Sequence, residues 1–126
     1  MADDIHSMDP QQANLLRRYA GAKPEAPDWF SAAVNTPYTA HFVTVQGVKI
    51  RYQTWGKRGK PGLLLSHGTG AHAHWYDFIA PALAEDYFVV AMTFSGMGDS
   101  AWRDRYGFEA FTAEQIAVCE DAGLFD

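Results

Sequence analysis

The chain is 126 residues long, a length that suits one domain and is short for two. Hydrophobic residues make up 48% of it and charged residues 20%, the balance of a globular protein rather than a disordered one. The net charge of -5 argues against nucleic-acid binding, which usually needs a basic face. The single cysteine, Cys119, excludes an internal disulfide framework and fits a reducing compartment.

Targeting signals are not evident in the sequence. No apolar run approaches the ~20 residues that cross a bilayer. Residues 1–16 begin acidic and lack the basic stretch followed by an apolar stretch that marks a secretory signal. We therefore expect a cytoplasmic protein that binds neither membranes nor nucleic acid.

Residues 1–40 are predicted to form a leader with short helical pieces, and residues 41–126 to form the domain itself. Within the leader, residues 15–19 predict one or two helical turns that end at Gly21. A second helical piece is predicted to begin with Asp28 as its N-cap.

Two antiparallel strands are predicted to open the domain. Residues 41–47 (HFVTVQG) and 48–56 (VKIRYQTWG) alternate apolar and polar side chains, and Gly47 turns the chain between them. We expect a hairpin at the edge of a sheet, with one face of each strand able to meet water.

The hydrophobic pattern changes after the hairpin. Residues 62–66 (GLLLS) and 87–94 (YFVVAMTF) do not alternate, which is typical of parallel strands buried on both faces. Residues 73–87 between them have apolar side chains at helical spacing, with Pro81 expected to kink or shorten the helix. This order predicts a right-handed βαβ unit.

A further helix is predicted over residues 108–122, ended by Gly123. Three large aromatic side chains, Trp75, Phe78 and Trp102, are interpreted as core or site-wall residues rather than cofactor contacts. The fold class is therefore α/β: an antiparallel hairpin, a parallel βαβ unit and one more helix.

Residues 63–78 (LLLSHGTGAHAHWYDF) allow three functional interpretations. A phosphate-binding loop is suggested because residues 68–73 satisfy G-x-G-x-x-A after a strand, but the next strand ends without the carboxylate that would hold a ribose. A metal site is suggested by His67, His72 and His74, but the partner acid and further histidine are missing from the required places. Each of these two interpretations lacks a residue that its chemistry needs.

The third interpretation is an oxyanion-binding loop over residues 66–70. Glycines allow a sharp turn there and leave amide N–H groups unpaired. Such donors stabilise developing negative charge, and losing one costs about 2.7–4 kcal/mol of transition-state stabilisation. From the residues alone, a plain strand-to-helix turn without a ligand is an equal alternative.

The succession of segments resembles the N-terminal part of an α/β-hydrolase-fold enzyme. Residues 42–56 resemble the opening hairpin of the family, and residues 62–94 its third strand, His-Gly oxyanion loop, first helix and fourth strand. Residues 95–100 (SGMGDS) resemble its D-x-R-G-x-G-x-S turn, and residues 108–124 the helix that follows. The resemblance implies the N-terminal half of an α/β-hydrolase sheet and hydrolysis of an ester, epoxide, carbon–halogen or carbon–carbon bond in a small-molecule substrate. It implies no cofactor and no metal.

The resemblance also implies roles for individual residues. Thr69 would offer its backbone N–H to the oxyanion, and His67 and Gly68 would shape that loop. Four further residues would shape the mouth of the site: Gly70, Gly96, Gly98 and Ser100.

The sequence departs from the family pattern in two respects. In the second turn, Thr93 stands in place of the acid, Ser95 in place of the arginine, and Met97 in place of a histidine or aromatic residue. In addition, no serine or aspartate lies in a G-x-S-x-G-type nucleophile elbow. We therefore expect a fragment that lacks the nucleophile and the catalytic histidine, is inactive alone, and self-associates or aggregates through its exposed strand GLLLS. The alternatives are a non-catalytic binding or interaction module of the same fold and a dinucleotide-binding βαβ domain.

Overall fold

The structure is a computed structural model that describes residues 14–125, so the first part of the predicted leader lies outside the described residues. Within this described part, four strands form one mixed sheet in the order β1-β2-β4-β3: β1 Thr39–Val45, β2 Val48–Trp55, β3 Gly62–Ser66 and β4 Phe88–Met92. β1 and β2 are antiparallel, as are β2 and β4, whereas β3 and β4 are parallel. The predicted hairpin, βαβ unit and α/β class are confirmed.

The hairpin is closed by a two-residue turn between paired Val45 and Val48. Both turn residues, Gln46 at φ 51° and Gly47 at φ 80°, have left-handed backbones, which suits the twist of the flanking strands. The prediction that one face of β2 is exposed to solvent is wrong, because every residue from Ile50 to Trp55 is buried. β2 lies inside the sheet, between β1 and β4, and structure covers both of its faces.

The two parallel strands differ in burial. All residues of β4 are buried, as its unbroken apolar sequence predicts. β3 is only half-buried over residues 63–66, because it is the edge of the sheet within the part of the chain that the structure describes.

In the described residues, five helical pieces accompany the sheet: the 3-10 helices Arg17–Tyr19 and Ala73–Tyr76, and the α-helices α1 Asp28–Val34, α2 Ala80–Leu83 and α3 Phe108–Ala122. The helix predicted over residues 73–87 is thus two short pieces. Pro81 lies in the first turn of α2, where its missing N–H has no helical partner to lose. Asp28 is the first residue of α1 rather than its N-cap, a position that Pro27 takes.

Two of the three aromatics interpreted as core or site-wall residues are on the surface. Trp75 is 66% exposed and Trp102 is 78% exposed, so neither is a core residue, and a place in the wall of a site stays a prediction for both. A 3-10 turn has three residues per turn rather than 3.6, which changes the residues that share a face and directs Trp75 outward. Phe78 is partly covered and stacks on Phe30 of α1, with ring centroids 6.0 Å apart.

α3 covers one face of the sheet with residues spaced four apart. Glu114, Val118 and Ala122 are fully buried, and Val118 and Ala122 pack with Ile50 and the other apolar residues of that face. The amide of Gly123 donates to the last turn, so the predicted end of the helix is confirmed. Within residues 14–125, no helix combines the length and apolarity that a bilayer crossing needs.

A hydrogen bond joins β2 to the end of α3. The hydroxyl of Tyr52 donates to the Asp121 carboxylate, although Tyr52 itself is almost fully buried. Burial first, and then this hydrogen bond, raise the pKa of Tyr52 above its ordinary value. Tyr52 therefore stays protonated and keeps donating at physiological pH.

Candidate active site

The predicted site lies at the carboxyl ends of β3 and β4. Because these strands are parallel, the loop after β3 and the turn after β4 leave the sheet at the same end, where the strands finish. The Phe94 N–H, just after β4, donates to Nε2 of His67, just after β3, at 3.0 Å. His67 thus ties the two segments that the sequence assigned to the site.

Both ring nitrogens of His67 are used inside the protein. Nε2 must be the unprotonated nitrogen because it accepts from a backbone N–H, so Nδ1 carries the proton and donates to the Gly68 carbonyl at 2.7 Å. The residue is buried, and its ring lies edge-on to Phe94 with centroids 5.2 Å apart. With neither nitrogen free, His67 holds the loop and is not available as a general base.

The direction of the Thr69 amide follows from the same contacts. The Gly68 carbonyl accepts from His67 on one side and from the Ala71 N–H, at 3.2 Å, on the other. In a trans peptide the N–H points opposite to the C=O, so the Thr69 N–H points away from these internal donors. It has no hydrogen-bond acceptor within residues 14–125, and Thr69 is exposed. The Thr69 amide is therefore unpaired and solvent-accessible in the part of the chain that the structure describes.

The two glycines of this loop play different parts. Gly70 has φ 78°, a left-handed backbone that favours glycine, whereas the φ of Gly68 is not positive. A Cβ at Gly68 would meet no atom within 4 Å. Gly68 therefore leaves open space beside the Thr69 amide, and only Gly70 is needed for the turn itself.

Ser100 joins the second turn to β2. Its hydroxyl accepts from the Arg51 N–H at 2.9 Å and donates to the Thr93 carbonyl at 2.6 Å, where the β2–β4 ladder separates. Ser100 thus satisfies two buried backbone groups and fixes the path of the turn.

We expect Ser100→Ala to lower the free energy of unfolding by about 2 kcal/mol, because one buried N–H and one buried C=O lose their partner. Urea unfolding followed by circular dichroism measures this. Ser100→Thr keeps the hydroxyl and is the control. A loss in Ser100→Ala no larger than in the threonine variant would show that the bridge is unimportant.

The residues that depart from the family turn have structural partners. Thr93, in place of the acid, is buried and accepts from the Ala73 N–H through Oγ1 at 3.0 Å. Ser95, in place of the arginine, donates both its N–H and its hydroxyl to Glu114 of α3, each at 2.7 Å. The turn is therefore held by neutral side chains and by a carboxylate from a different element.

Glu114 and Arg103 form a buried ion pair beneath this turn that sequence reasoning missed. The Arg103 Nε donates to Glu114 at 2.8 Å, and the arginine also reaches the Val45 carbonyl and the Gln46 side chain. The ion pair thus joins α3, the hairpin and the second turn. The signal in the sequence was the spacing of Glu114 with Val118, which puts a carboxylate on the apolar face of the helix.

The two histidines after the loop, His72 and His74, lie apart from His67, and His74 belongs to a separate hydrogen-bond network. His74 donates from Nδ1 to Asp77 at 2.9 Å, and Asp77 accepts from Gln53 at 2.7 Å. The ring centroids of His72 and His74 lie 5.6 Å apart. In the part of the chain that the structure describes, no three or more His, Cys, Asp or Glu side chains cluster as a metal site would require, and His67 is directed elsewhere.

Within residues 14–125, no serine or aspartate lies in a G-x-S-x-G-type elbow. The Ser66 hydroxyl accepts from Gln115 at 3.1 Å, and burial raises the pKa of the Cys119 thiol on α3, which disfavours the reactive thiolate.

A cavity of about 650 Å³ exists near the N-terminus, lined by Leu16, Tyr19 and residues 21–24, but none of the predicted site residues lines it.

Gly98 and Gly96 of the second turn both have left-handed backbones, with φ 45° and 76°. A Cβ at Gly98 would come within 2.9 Å of His72 Cβ and of a Thr93 methyl, whereas one at Gly96 would press on the hydroxyl end of Tyr106, a half-exposed side chain with solvent on one side. We expect Gly98→Ala to cost about 2–3 kcal/mol and Gly96→Ala about 1 kcal/mol. Thermal unfolding of the two variants side by side measures the difference, and equal losses would contradict the close contact at His72.

Comparisons with known proteins support the fold described above. Over 85 residues the chain is 35% identical to 2-heptyl-3-hydroxy-4-quinolone dioxygenase AqdC2 of Rhodococcus erythropolis, covering 65% of this chain and 32% of that protein. Epoxide hydrolase A of Mycobacterium thermoresistibile superposes with a TM-score of 0.64 at 28% identity, covering 69% of this chain and 28% of that one. The thioesterase domain of the curacin biosynthetic pathway superposes with a TM-score of 0.63 at 26% identity, covering 68% and 33%. No protein-family model matches the sequence.

The chain spans about a third or less of the length of each of these proteins. The similar structures include epoxide hydrolases, haloalkane dehalogenases, a thioesterase and a lipase, and they match the mixed four-stranded sheet and its helices. The chain is a member of the α/β-hydrolase fold superfamily and contains the N-terminal part of that fold.

Proposed function

We propose that this chain supplies the oxyanion-binding part of an α/β-hydrolase-type hydrolase. The observation that carries the proposal is the occupied Gly68 carbonyl, which His67 and Ala71 hold from the inside. The Thr69 amide of the same peptide is thereby directed outward and preorganised for a negatively charged oxygen. Preorganisation matters because the donor then needs no rearrangement when charge develops.

The chemistry assigned to these residues is electrostatic rather than acid–base. Thr69 donates its N–H to the developing oxyanion, and His67 acts as a positioning residue because both of its nitrogens are engaged. Gly68 leaves room for the reacting group beside the amide. Gly70, Gly98 and Ser100 keep the two loops in place around it.

The substrate class proposed is a small molecule with an ester, epoxide, carbon–halogen or carbon–carbon bond to hydrolyse, and the proposed location is the cytoplasm. The 126 residues contain no G-x-S-x-G or equivalent aspartate elbow. The proposal therefore places the nucleophile and the catalytic histidine outside these residues, and the 126-residue chain alone is inactive.

A second candidate function is oxygenation of a hydroxyquinolone. It is favoured by the 35% identity with the Rhodococcus protein, which is named as a dioxygenase of 2-heptyl-3-hydroxy-4-quinolone. An outward amide suits either reaction, because it stabilises a developing oxyanion regardless of the step that forms it.

The test uses the protein as it is encoded, together with any residues that follow residue 126, beside the 126-residue chain. Release of p-nitrophenol from p-nitrophenyl acetate and opening of styrene oxide report hydrolysis, and oxygen uptake with 2-heptyl-3-hydroxy-4-quinolone reports oxygenation. We expect saturable hydrolysis by the encoded protein and none by the 126-residue chain. Saturable hydrolysis by the 126-residue chain would contradict the assignment of the nucleophile, and oxygen uptake without hydrolysis would favour the second candidate.

A further inference from the structure

Arg51 carries a buried positive charge at the end of the sheet where the candidate site lies. The Thr93 N–H, just after β4, donates to the Arg51 carbonyl at 2.9 Å, which places Arg51 level with the start of the second turn. The Arg51 side chain is only 8% exposed. A charge taken out of water lowers stability unless partners compensate for it, so a buried guanidinium normally has its N–H groups engaged.

One edge of this guanidinium has no hydrogen-bond acceptor within residues 14–125. Nη1 donates to the Gln53 side-chain carbonyl at 2.7 Å, and the guanidinium carbon lies 5.7 Å from the centroid of the Tyr38 ring. Nε and Nη2 form the edge with two parallel N–H bonds, and neither has an acceptor among those residues. Every fully buried side-chain nitrogen and oxygen in that part of the chain has a hydrogen-bond partner, so Nε and Nη2 must reach solvent.

Asp99 lies beside this edge without filling it. Its Oδ2 is 3.9 Å from Nε, which is beyond hydrogen-bonding distance, and its side chain is 73% exposed. An ion pair with such an exposed partner is weak. The Asp77 carboxylate accepts from Gln53 and from His74, so its two oxygens have other donors. The Nε–Nη2 edge of Arg51 is therefore an open fork of two N–H donors.

The ligand that matches this fork is a carboxylate, whose two oxygens accept the two parallel N–H bonds. Asp99 and Asp77 repel a doubly charged phosphate more strongly than a singly charged carboxylate. The position also suits a substrate. β4 alone separates β2 from β3, so about 10 Å lies between the strand of Arg51 and the strand that leads to the Thr69 loop. A small molecule can therefore reach both.

We propose that Arg51 binds a carboxylate of the substrate, so that the substrate class is a small molecule with a carboxylate about 10 Å from the reacting bond. The substrate class rests on the proposed function, because it places the reacting bond at the Thr69 amide. Carboxylate binding by Arg51 does not rest on it. Asp99 competes with the ligand for the fork and is displaced when the ligand binds.

The first test is a titration of the 126-residue chain and of the encoded protein with sodium benzoate, followed by NMR of the Arg51 Nε–H group. Benzamide, which has a similar shape and no charge, is the control. We expect the Arg51 signal to shift saturably with benzoate and not with benzamide. No shift with benzoate would overturn the proposal. So would a shift in the 126-residue chain alone, because residues that follow residue 126 would then fill the fork.

The second test compares two aspartate variants in the same titration. Asp99→Asn removes the carboxylate beside the fork, and Asp104→Asn removes an exposed charge from the neighbouring segment as the matched control. We expect the benzoate dissociation constant to be about threefold lower in Asp99→Asn than in Asp104→Asn, because repulsion falls with distance. Equal dissociation constants would show that benzoate binds elsewhere and would overturn the proposal.

Arg51→Lys keeps the charge and removes the fork. We expect it to weaken benzoate binding about tenfold, since an ammonium cannot form the two parallel hydrogen bonds. Unchanged binding would contradict the role of the fork. If this variant fails to fold, the benzoate titration of the unchanged chain and the two aspartate variants decide.

The substrate class is tested with the encoded protein and two esters of equal chain length, mono-4-nitrophenyl suberate and 4-nitrophenyl octanoate. Only the first carries a terminal carboxylate. We expect its kcat/KM to be about tenfold higher, as one charged hydrogen-bonded pair provides. Equal kcat/KM values would overturn the substrate class. Hydrolysis of neither ester would count against the proposed function, and the benzoate titration would still decide whether Arg51 binds a carboxylate.

Discussion

Glu114→Ala is expected to lower the free energy of unfolding by about 3–5 kcal/mol, the largest effect that we predict for one substitution. The Glu114 side chain is fully buried, and it accepts from the Ser95 N–H, the Ser95 hydroxyl and the Arg103 guanidinium. The Arg103 side chain is only 8% exposed, so removing the carboxylate leaves a buried positive charge without this partner. Small domains are stable by about 5–15 kcal/mol, so a loss of this size brings the chain close to unfolding.

Urea unfolding followed by circular dichroism measures this loss, and two control variants separate its causes. Glu114→Gln keeps an acceptor for Ser95 but removes the charge, so we expect a smaller loss than in the alanine variant. Glu120→Ala removes an exposed glutamate from the same helix and should change stability by less than about 0.5 kcal/mol. If Glu114→Ala and Glu120→Ala behaved alike, the buried ion pair would not stabilise the fold.

If the proposed function holds, Thr69→Pro is expected to lower the kcat of the encoded protein by about 100- to 1,000-fold, with a much smaller change in KM. Proline removes the one backbone N–H that the Gly68 carbonyl contacts direct outward. A donor that acts on a developing charge stabilises the transition state more than the bound substrate. The measurement is steady-state hydrolysis of p-nitrophenyl acetate by the encoded protein, with any residues that follow residue 126.

Thr69→Ala is the matched control, because it removes the side chain and keeps the amide. We expect its kcat to stay within a few-fold of that of the unchanged protein, with thermal unfolding of both variants showing that the fold is retained. Equal losses of kcat in the two variants would assign the effect to the threonine side chain or to the loop conformation, and the backbone amide would lose its proposed role.

The strands were predictable because their signals are local. The switch from alternating residues in the hairpin to unbroken apolar runs indicated the two parallel strands β3 and β4, of which β4 is fully buried and β3 half-buried. β2 was the exception. Its sequence alternates as a half-exposed strand does, but its polar residues Arg51 and Gln53 are buried because they bond to each other. The periodicity of a sequence shows where its polar side chains lie. It does not show whether they are buried, because a polar side chain can be buried when it has hydrogen-bond partners.

The helical region between β3 and β4 was only partly predictable. Helical spacing over residues 73–87 and the effect of Pro81 could be read from the sequence. The 3-10 geometry of Ala73–Tyr76 could not, and neither could the contact at its start, where the Ala73 N–H donates to the Thr93 hydroxyl. That contact joins residues twenty positions apart and leaves no periodic trace.

In the candidate site, too, the local segments were predictable and the long-range contacts were not. Motif spacing indicated the His67 loop and the second turn, and the structure joins them through the Phe94 amide. The partners of the site residues come from elsewhere: Glu114 from α3 for Ser95, and the β2 backbone for Ser100. These pairings are set by the topology of the sheet, so one sequence could not supply them.

We propose that His67 holds the Gly68 carbonyl inward and thereby leaves the Thr69 amide free for a negatively charged oxygen. Amide hydrogen exchange followed by nitrogen-15 NMR of the 126-residue chain measures this arrangement. We expect slow exchange at Phe94, whose N–H donates to His67, fast exchange at Thr69, and a His67 ring that carries its proton on Nδ1 and not on Nε2. A Thr69 amide protected as strongly as the strand amides, or a His67 ring with the opposite tautomer, would contradict it.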